Sequence, residues 1–216
     1  MTTEKMISEL SKPSNEFEDG PVLSADCKNE VANAIKVLLN AVGEDPEREG
    51  LTGTPSRVAR MYDELLAGYK IDPDKLLNNA LFDVEYDEMV VVKDIEFYSL
   101  CEHHLLPILG RCHIGYLPDT QVIGLSKIPR LVDMFARRLQ VQERMTKQIA
   151  VFLSDLVKPR GVGVILEADH LCTGMRGVQK RHAKMVTSSM LGGFRDNAAT
   201  REEFLAHVRA NSRPMQ

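Results

Sequence analysis

The chain lacks the marks of membrane, secreted or nucleic-acid-binding proteins. No apolar run in its 216 residues approaches the ~18 that a membrane-spanning helix needs. The opening MTTEKMISELSKPSNEFEDG is polar and acidic with no apolar stretch, so it does not read as a signal peptide. A cytoplasmic location is the expectation. There is no long basic run and no alternation of basic with aromatic residues, which argues against a nucleic acid partner. Cysteine is scarce too: Cys27, Cys101, Cys112 and Cys172 are too few for a disulfide scaffold in a chain this long. In a reducing compartment they are free thiols or metal ligands. No internal repeat or low-complexity segment is present.

What the chain does contain is ordinary globular material, 44% hydrophobic and 27% charged, enough for one domain, or one domain with a helical appendage, and a real core. The net charge of −4 hides an asymmetry. Residues 1–96 carry −11, whereas residues 97–216 carry +7 and hold all six histidines. The positive part favours an anionic ligand, although two segregated faces would look the same.

Pattern divides the chain into a flexible acidic tail (1–24), a helical region (25–88) and a mixed domain (89–210). A helix is expected from about Lys28 to Val42, with Val31, Ile35, Leu38, Leu39 and Val42 on one face. After the loop GEDPEREGLTGTPS, Thr54 as N-cap and Pro55 at the first helical position start a second helix. It should bury Val58, Met61, Tyr62, Leu65 and Leu66 and stop at Gly68. From Met89 the texture turns to strands, MVVVKDIEFYS and GRCHIGYLP, on either side of CEHHLLPIL. Ser126 caps a helix through Ile128, Leu131, Val132 and Phe135, with Pro129 in its first turn. Another helix carries Met145, Ile149, Phe152 and Leu156. VGVILEADHLC and KMVTSSML read as strands, and Thr200 with Glu203 as a capping box for a short final helix with Phe204 and Val208. The result is an α+β domain of β-β-α-α-β-β order.

Chemistry concentrates in CEHHLLP and ADHLC. Cys101 and His104, spaced C-x2-H, can meet on a metal across one tight turn, and Cys172 can supply a third ligand. Thiolate with imidazole favours zinc. On a strand, His170 and Cys172 would share a face, placing His170 beside whatever the metal holds. Three ligands without an obvious fourth leave a position for water, the mark of a catalytic site. Cys112 and His113 are rival fourth ligands, read here as core packing and as a non-ligand. Cys27 reads as structural, and His182 and His207 as surface residues. His103 and His170 then suit proton traffic, giving metal-assisted hydrolysis with two acid–base histidines.

The segments GEDPEREGLTGTPSRVARMY, CEHHLLP, VIGLSKIPR, RRLQVQERMTKQIA, EADHLCTGMRGVQ and TSSMLGGFR resemble, in that order, the GTP cyclohydrolase I family, from about Gly43 to Val208. The resemblance implies a reaction. Water adds at C8 of the guanine of GTP, the imidazole ring opens, and C8 leaves as formate. The ribose then rearranges and recloses to 7,8-dihydroneopterin triphosphate, the first step toward pterins and tetrahydrofolate. It implies Cys101, His104 and Cys172 as zinc ligands and His103 and His170 as proton-transfer groups. Lys127, Arg130 and Arg176 match triphosphate contacts, as does Arg57, which in the family reaches in from a neighbouring subunit. Ser126 matches a ribose or phosphate contact and Glu143 the guanine anchor. The implied architecture is the tunnelling fold, its barrel completed by oligomerisation into a decamer of two pentameric rings. Ordinary solvated charge is the competing reading for Lys127, Arg130 and Arg176, and a helix-start role for Ser126 and Glu143. Two rival functions are an NADPH-dependent nitrile reductase on the same fold, which would need no zinc triad, and a non-catalytic zinc-stabilised module, which would close its site with a fourth ligand.

Overall fold

The computed structural model describes residues 22–77, 80–180 and 182–210. All but the last three residues of the expected acidic tail lie outside this range. The elements are α1 (Ala25–Ala41), α2 (Thr54–Leu65), a 3-10 turn (Ala67–Tyr69), α3 (Pro73–Leu77), β1 (Leu81–Asp83), β2 (Val90–Cys101), β3 (Pro107–Leu117) and β4 (Gln121–Ile123). They continue as α4 (Lys127–Ala136), β5 (Leu139–Gln140), α5 (Gln142–Val157), β6 (Gly161–His170), α6 (Leu171–Gly174), β7 (Met185–Gly192), α7 (Gly193–Asp196) and α8 (Ala198–Arg209). The long elements follow the expected β-β-α-α-β-β order. No helix of the described residues is long and apolar enough to cross a membrane.

The main sheet runs β5-β2-β3-β6-β7, antiparallel except for the short parallel pair of β5 with β2. Helices α4 and α5 cover one face. Ile128, Leu131, Val132 and Phe135 of α4 and Met145 and Ile149 of α5 are all buried there, as their helical spacing required. They meet Ile108, Cys112, Ile114 and Tyr116 of β3 and Val162, Val164 and Leu166 of β6. Cys112 is fully buried in this core, and burial drives its thiol far up.

The other face holds a smaller cluster in which α7 and α8 press Phe194 and Phe204 onto the sheet. Gly163 makes this approach possible: a Cβ there would lie 2.6 Å from the Phe194 ring. The final helix starts earlier than expected. Asn197, not Thr200, is its cap, its side chain accepting from the backbone N–H groups of Ala199 and Thr200.

Strand β2 is not straight. Val90 and Val92 face the main core, yet so do Ile95, Phe97 and Cys101, while Met89 and Val91 face the small cluster. The change of parity occurs at a register shift between Val92 and Ile95, where Asp94 takes a left-handed φ of 56°. The Asp94 N–H donates to His113 Nδ1 at 3.2 Å. His113 is buried, and burial pushes its pKa down, so the ring is a neutral acceptor that pins the bulge.

The N-terminal helices depart from expectation. Ser24 caps α1, and no residue of that helix is buried; Leu38 and Val42 stand 55% and 66% exposed. In α2, Gly53 takes the cap position without a side-chain bond, so Thr54 is already helical and Pro55 sits one place further in. Pro55 and Ala59 are its buried residues, and Met61 is exposed. The pair is joined to the domain through the 3-10 turn. Gly68 N–H donates to the Arg137 carbonyl at 2.9 Å, and Arg138 Nε donates to the Gly68 carbonyl at 3.0 Å. A Cβ on Gly68 would meet the Met134 carbonyl at 2.4 Å, so only glycine fits this junction.

Candidate active site

Sheet register gathers one end of the molecule. Leu100 pairs with Pro107, Ile108 with His170, and Cys101 with Gln140, so the β2–β3 turn, the end of β6 and the start of α5 adjoin one another. The turn is held by its own backbone. Cys101 N–H donates to the Leu106 carbonyl at 2.9 Å and Leu105 N–H to the Cys101 carbonyl at 2.8 Å, with Leu105 at a left-handed φ of 55°. Glu102 N–H donates to the Gln140 carbonyl at 3.1 Å, and the Glu102 carboxylate is paired with Arg144. That guanidinium holds the Glu102 carboxyl below its ordinary range.

Within this frame the ligand atoms of Cys101, His104 and Cys172 lie within 4.8 Å of one another, a group that could hold a metal ion. Tetrahedral zinc–thiolate bonds of about 2.3 Å bring two sulfurs to about 3.8 Å, so the donor set and its spacing fit zinc. Burial first, and then the neighbouring Cys101 sulfur, push the Cys172 thiol up. A bound cation reverses that preference by favouring the thiolate. Cys172 does not sit on a strand as expected. Strand β6 ends at His170, and Cys172 lies in the single helical turn of α6, which curls its sulfur back toward Cys101. Cys112 is in the core and His113 on the opposite face, so neither joins the group.

The other expected residues divide into two sets. His103 is exposed, with Nδ1 3.9 Å from Cys101 Sγ and Nε2 3.9 Å from Glu102 Oε1. Arg176 donates from Nη1 to His104 Nε2 at 3.1 Å. His170 is half-buried, and burial lowers its pKa against the opposing pull of the Glu143 and Asp169 carboxylates. Glu143 is exposed in the first turn of α5. These belong to one neighbourhood. No hydrogen bond or ion pair among the described residues ties Arg57, Ser126, Lys127 or Arg130 to it. Ser126 holds the cap position of α4 without a side-chain capping bond. Lys127 Nζ instead donates to the Leu76 carbonyl at 2.8 Å. The ten residues of α4 span about 15 Å, and its far end leads into β5 beside Cys101. Arg57 is exposed on α2, its guanidinium folded over Gly53.

One contact was not anticipated: Gln142 Oε1 lies 2.8 Å from His170 Nε2. Its signal was present, since Gln142, Met145, Thr146 and Ile149 form the buried stripe of α5, and a polar residue in such a stripe must have partners.

Fold and site together define an α+β protein with a cysteine–histidine group fit for a metal, flanked by a half-buried histidine and a carboxylate. The sequence pattern described as GTP cyclohydrolase I matches residues 31–209, and the chain belongs to that family. It is 52% identical over 196 residues to GTP cyclohydrolase 1 of Gloeobacter violaceus, covering 89% of this chain and 92% of that one. It is 58% identical over 168 residues to that of Methylococcus capsulatus (78% and 91% covered) and 53% over 180 residues to that of Homo sapiens (83% and 72%). Among solved structures, it is similar to an archaeosine synthase QueF-Like in the apo form, with a TM-score of 0.43 and 16% identity over 50% of this chain and 98% of that one.

Proposed function

We propose that this chain converts GTP and water to 7,8-dihydroneopterin triphosphate and formate. The observation that carries the reading is the Cys101–His104–Cys172 group, with His170 and Glu143 beside it, in a chain of the GTP cyclohydrolase I family. Cys101, His104 and Cys172 would hold zinc, which when bound supplies Lewis-acid polarisation of oxygen. His103 and His170 move protons as the guanine imidazole ring opens and the ribose rearranges. Glu143 receives the two adjacent donors of guanine, N1–H and the exocyclic amine.

Arg57, Ser126, Lys127, Arg130 and Arg176 receive the ribose and triphosphate, for which forked guanidinium donors suit phosphate oxygens. Arg57 serves a neighbouring subunit's site, a reading supported by its exposed place on α2, where no hydrogen bond or ion pair among the described residues ties it to the cysteine–histidine group of its own chain. The chain would therefore assemble as a tunnelling-fold barrel closed by oligomerisation, a decamer in the family pattern, with residues 89–210 as the catalytic domain and a cytoplasmic location.

The test is to incubate purified, zinc-loaded protein with GTP and to follow formate release and, after oxidation, pterin fluorescence. Both signals are expected. Formate without a pterin would limit the activity to ring opening, and neither signal from zinc-loaded oligomer would overturn the reading.

A further inference from the structure

Gln142 opens α5 and is 1% exposed, and its carboxamide has no freedom to turn. The two protons of Nε2 are shared among three acceptors, the Leu166 carbonyl at 3.1 Å, the Met185 carbonyl at 3.0 Å and Thr187 Oγ1 at 3.1 Å. Backbone carbonyls only accept. An amide turned the other way would press its oxygen against both of them with no proton between. The threonines fix the rest. Thr146 Oγ1 spends its single proton on the Gln142 carbonyl at 2.7 Å, so Thr187 must donate across the 2.7 Å contact between the two hydroxyls. The Thr187 oxygen is thereby left to accept from Nε2. The nitrogen end faces β6 and β7, and the oxygen end faces His170.

We infer that Gln142 is a positioning residue for His170, which fixes the plane of its ring and keeps its proton on Nε2. The inference rests on the reading of His170 as a proton-transfer group. A neutral imidazole has one N–H and one lone pair, and a carboxamide oxygen can only accept. The 2.8 Å contact therefore assigns the proton to Nε2 and the lone pair to Nδ1. Nδ1 is then the atom that takes and returns the proton. The residue type follows. A carboxylate at this position would face two carbonyls, and a hydrocarbon would take the amide donor away from the Leu166 and Met185 carbonyls and leave the half-buried imidazole N–H without its acceptor. A carboxamide alone serves both ends.

The test is solid-state NMR on the zinc-loaded oligomer with 15N-labelled histidine, the His170 signals being assigned by their loss in His170→Ala. At a pH where the ring is neutral, the parent should show a protonated Nε2 and a bare Nδ1. Gln142→Met keeps length and burial but removes donor and acceptor; there the two nitrogens should move toward tautomer averaging. Turnover should fall roughly 10–100-fold, the usual cost of removing such an orienting partner, with KM for GTP changed far less. A parent His170 protonated on Nδ1 with Nε2 bare overturns the inference, as does an unchanged tautomer in Gln142→Met. Even if the variant does not fold, a parent spectrum with Nε2 bare overturns the inference. Full activity in His170→Ala would instead overturn the catalytic reading, while the spectrum still reports the tautomer.

Discussion

The α1–α2 pair and the α4–α5 pair carry the same kind of signal, apolar residues at helical spacing, and meet opposite fates. Helices α4 and α5 lay their stripes on the sheet and bury them. Among the described residues the stripe of α1 leans chiefly on α2, with Val31, Ile35 and Leu39 half-buried, and Leu38 and Val42, like Val37 beside them, remain exposed. Periodicity reports which face needs cover. It does not report whether the cover comes from the same chain, because two helices alone cannot enclose both of their apolar faces. The proposed site residues divide along the same line. The metal group, His103, His170 and Glu143 ride on the self-sufficient domain, as do Ser126, Lys127, Arg130 and Arg176, while the proposed phosphate contact Arg57 rides on the uncovered pair.

The largest effect should come from the self-sufficient region. Cys101→Ala, His104→Ala and Cys172→Ala should each lose zinc and fall to background turnover together, measured by metal analysis beside the formate assay. Earlier melting should accompany the loss, since metal binding is linked to folding. Full activity in a zinc-free variant would remove the metal from the mechanism.

Next in size is His170→Ala, which should keep its zinc and GTP binding while turnover drops by about 10²–10⁴-fold. Stoichiometric loss of zinc there would make His170 a ligand instead.

A third experiment addresses the contrast between the pairs directly. Leu38→Asp with Val42→Asp should leave zinc content and the domain's circular dichroism intact but shrink the particle seen by sedimentation. Each side chain that a neighbour covers contributes about 1.5–3 kcal/mol on burial. An oligomer of undiminished size would show that the α1 stripe stays bare in solution and would erase the contrast between the two helix pairs.

Smaller again is Glu143→Gln, expected to weaken GTP binding by about 1.5–3 kcal/mol while leaving zinc bound. Affinity equal to the parent's would move the guanine anchor elsewhere.

The smallest effect tests burial on α4. Burial raises the Asp133 carboxyl, with Arg137 partly opposing. A folded pKa above the unfolded one means that its contribution is fully present below the unfolded value of ~3.9 and is lost as pH rises through the folded one. Asp133→Asn should therefore gain about 0.5 kcal/mol or less over the parent at neutral pH, and the gain should close as pH falls below 4. Melting curves across that range would check it, and a constant difference would rule out titration as the cause.

Much of this molecule was written locally. The strand texture of GRCHIGYLP marked β3, the stripes of α4 and α5 marked their buried faces, and C-x2-H marked the part of the metal group that one turn holds, because each depends on residues a turn or a strand apart. The tertiary structure decided what depends on partners far along the chain. His113, nineteen residues away, holds the Asp94 bulge whose extra residue turns Cys101 toward the core; without it, the earlier parity of β2 would send Cys101 to the opposite face. Cys172 reaches the group from a helical turn because β6 stops at His170. Gln142 meets His170 because α5 packs on β6 and β7. Spacing along a chain fixes which side chains share a local face, but a bulge, a strand end and a helix's seat on a sheet are set by pairing and packing across many residues, and those alone aim the side chains.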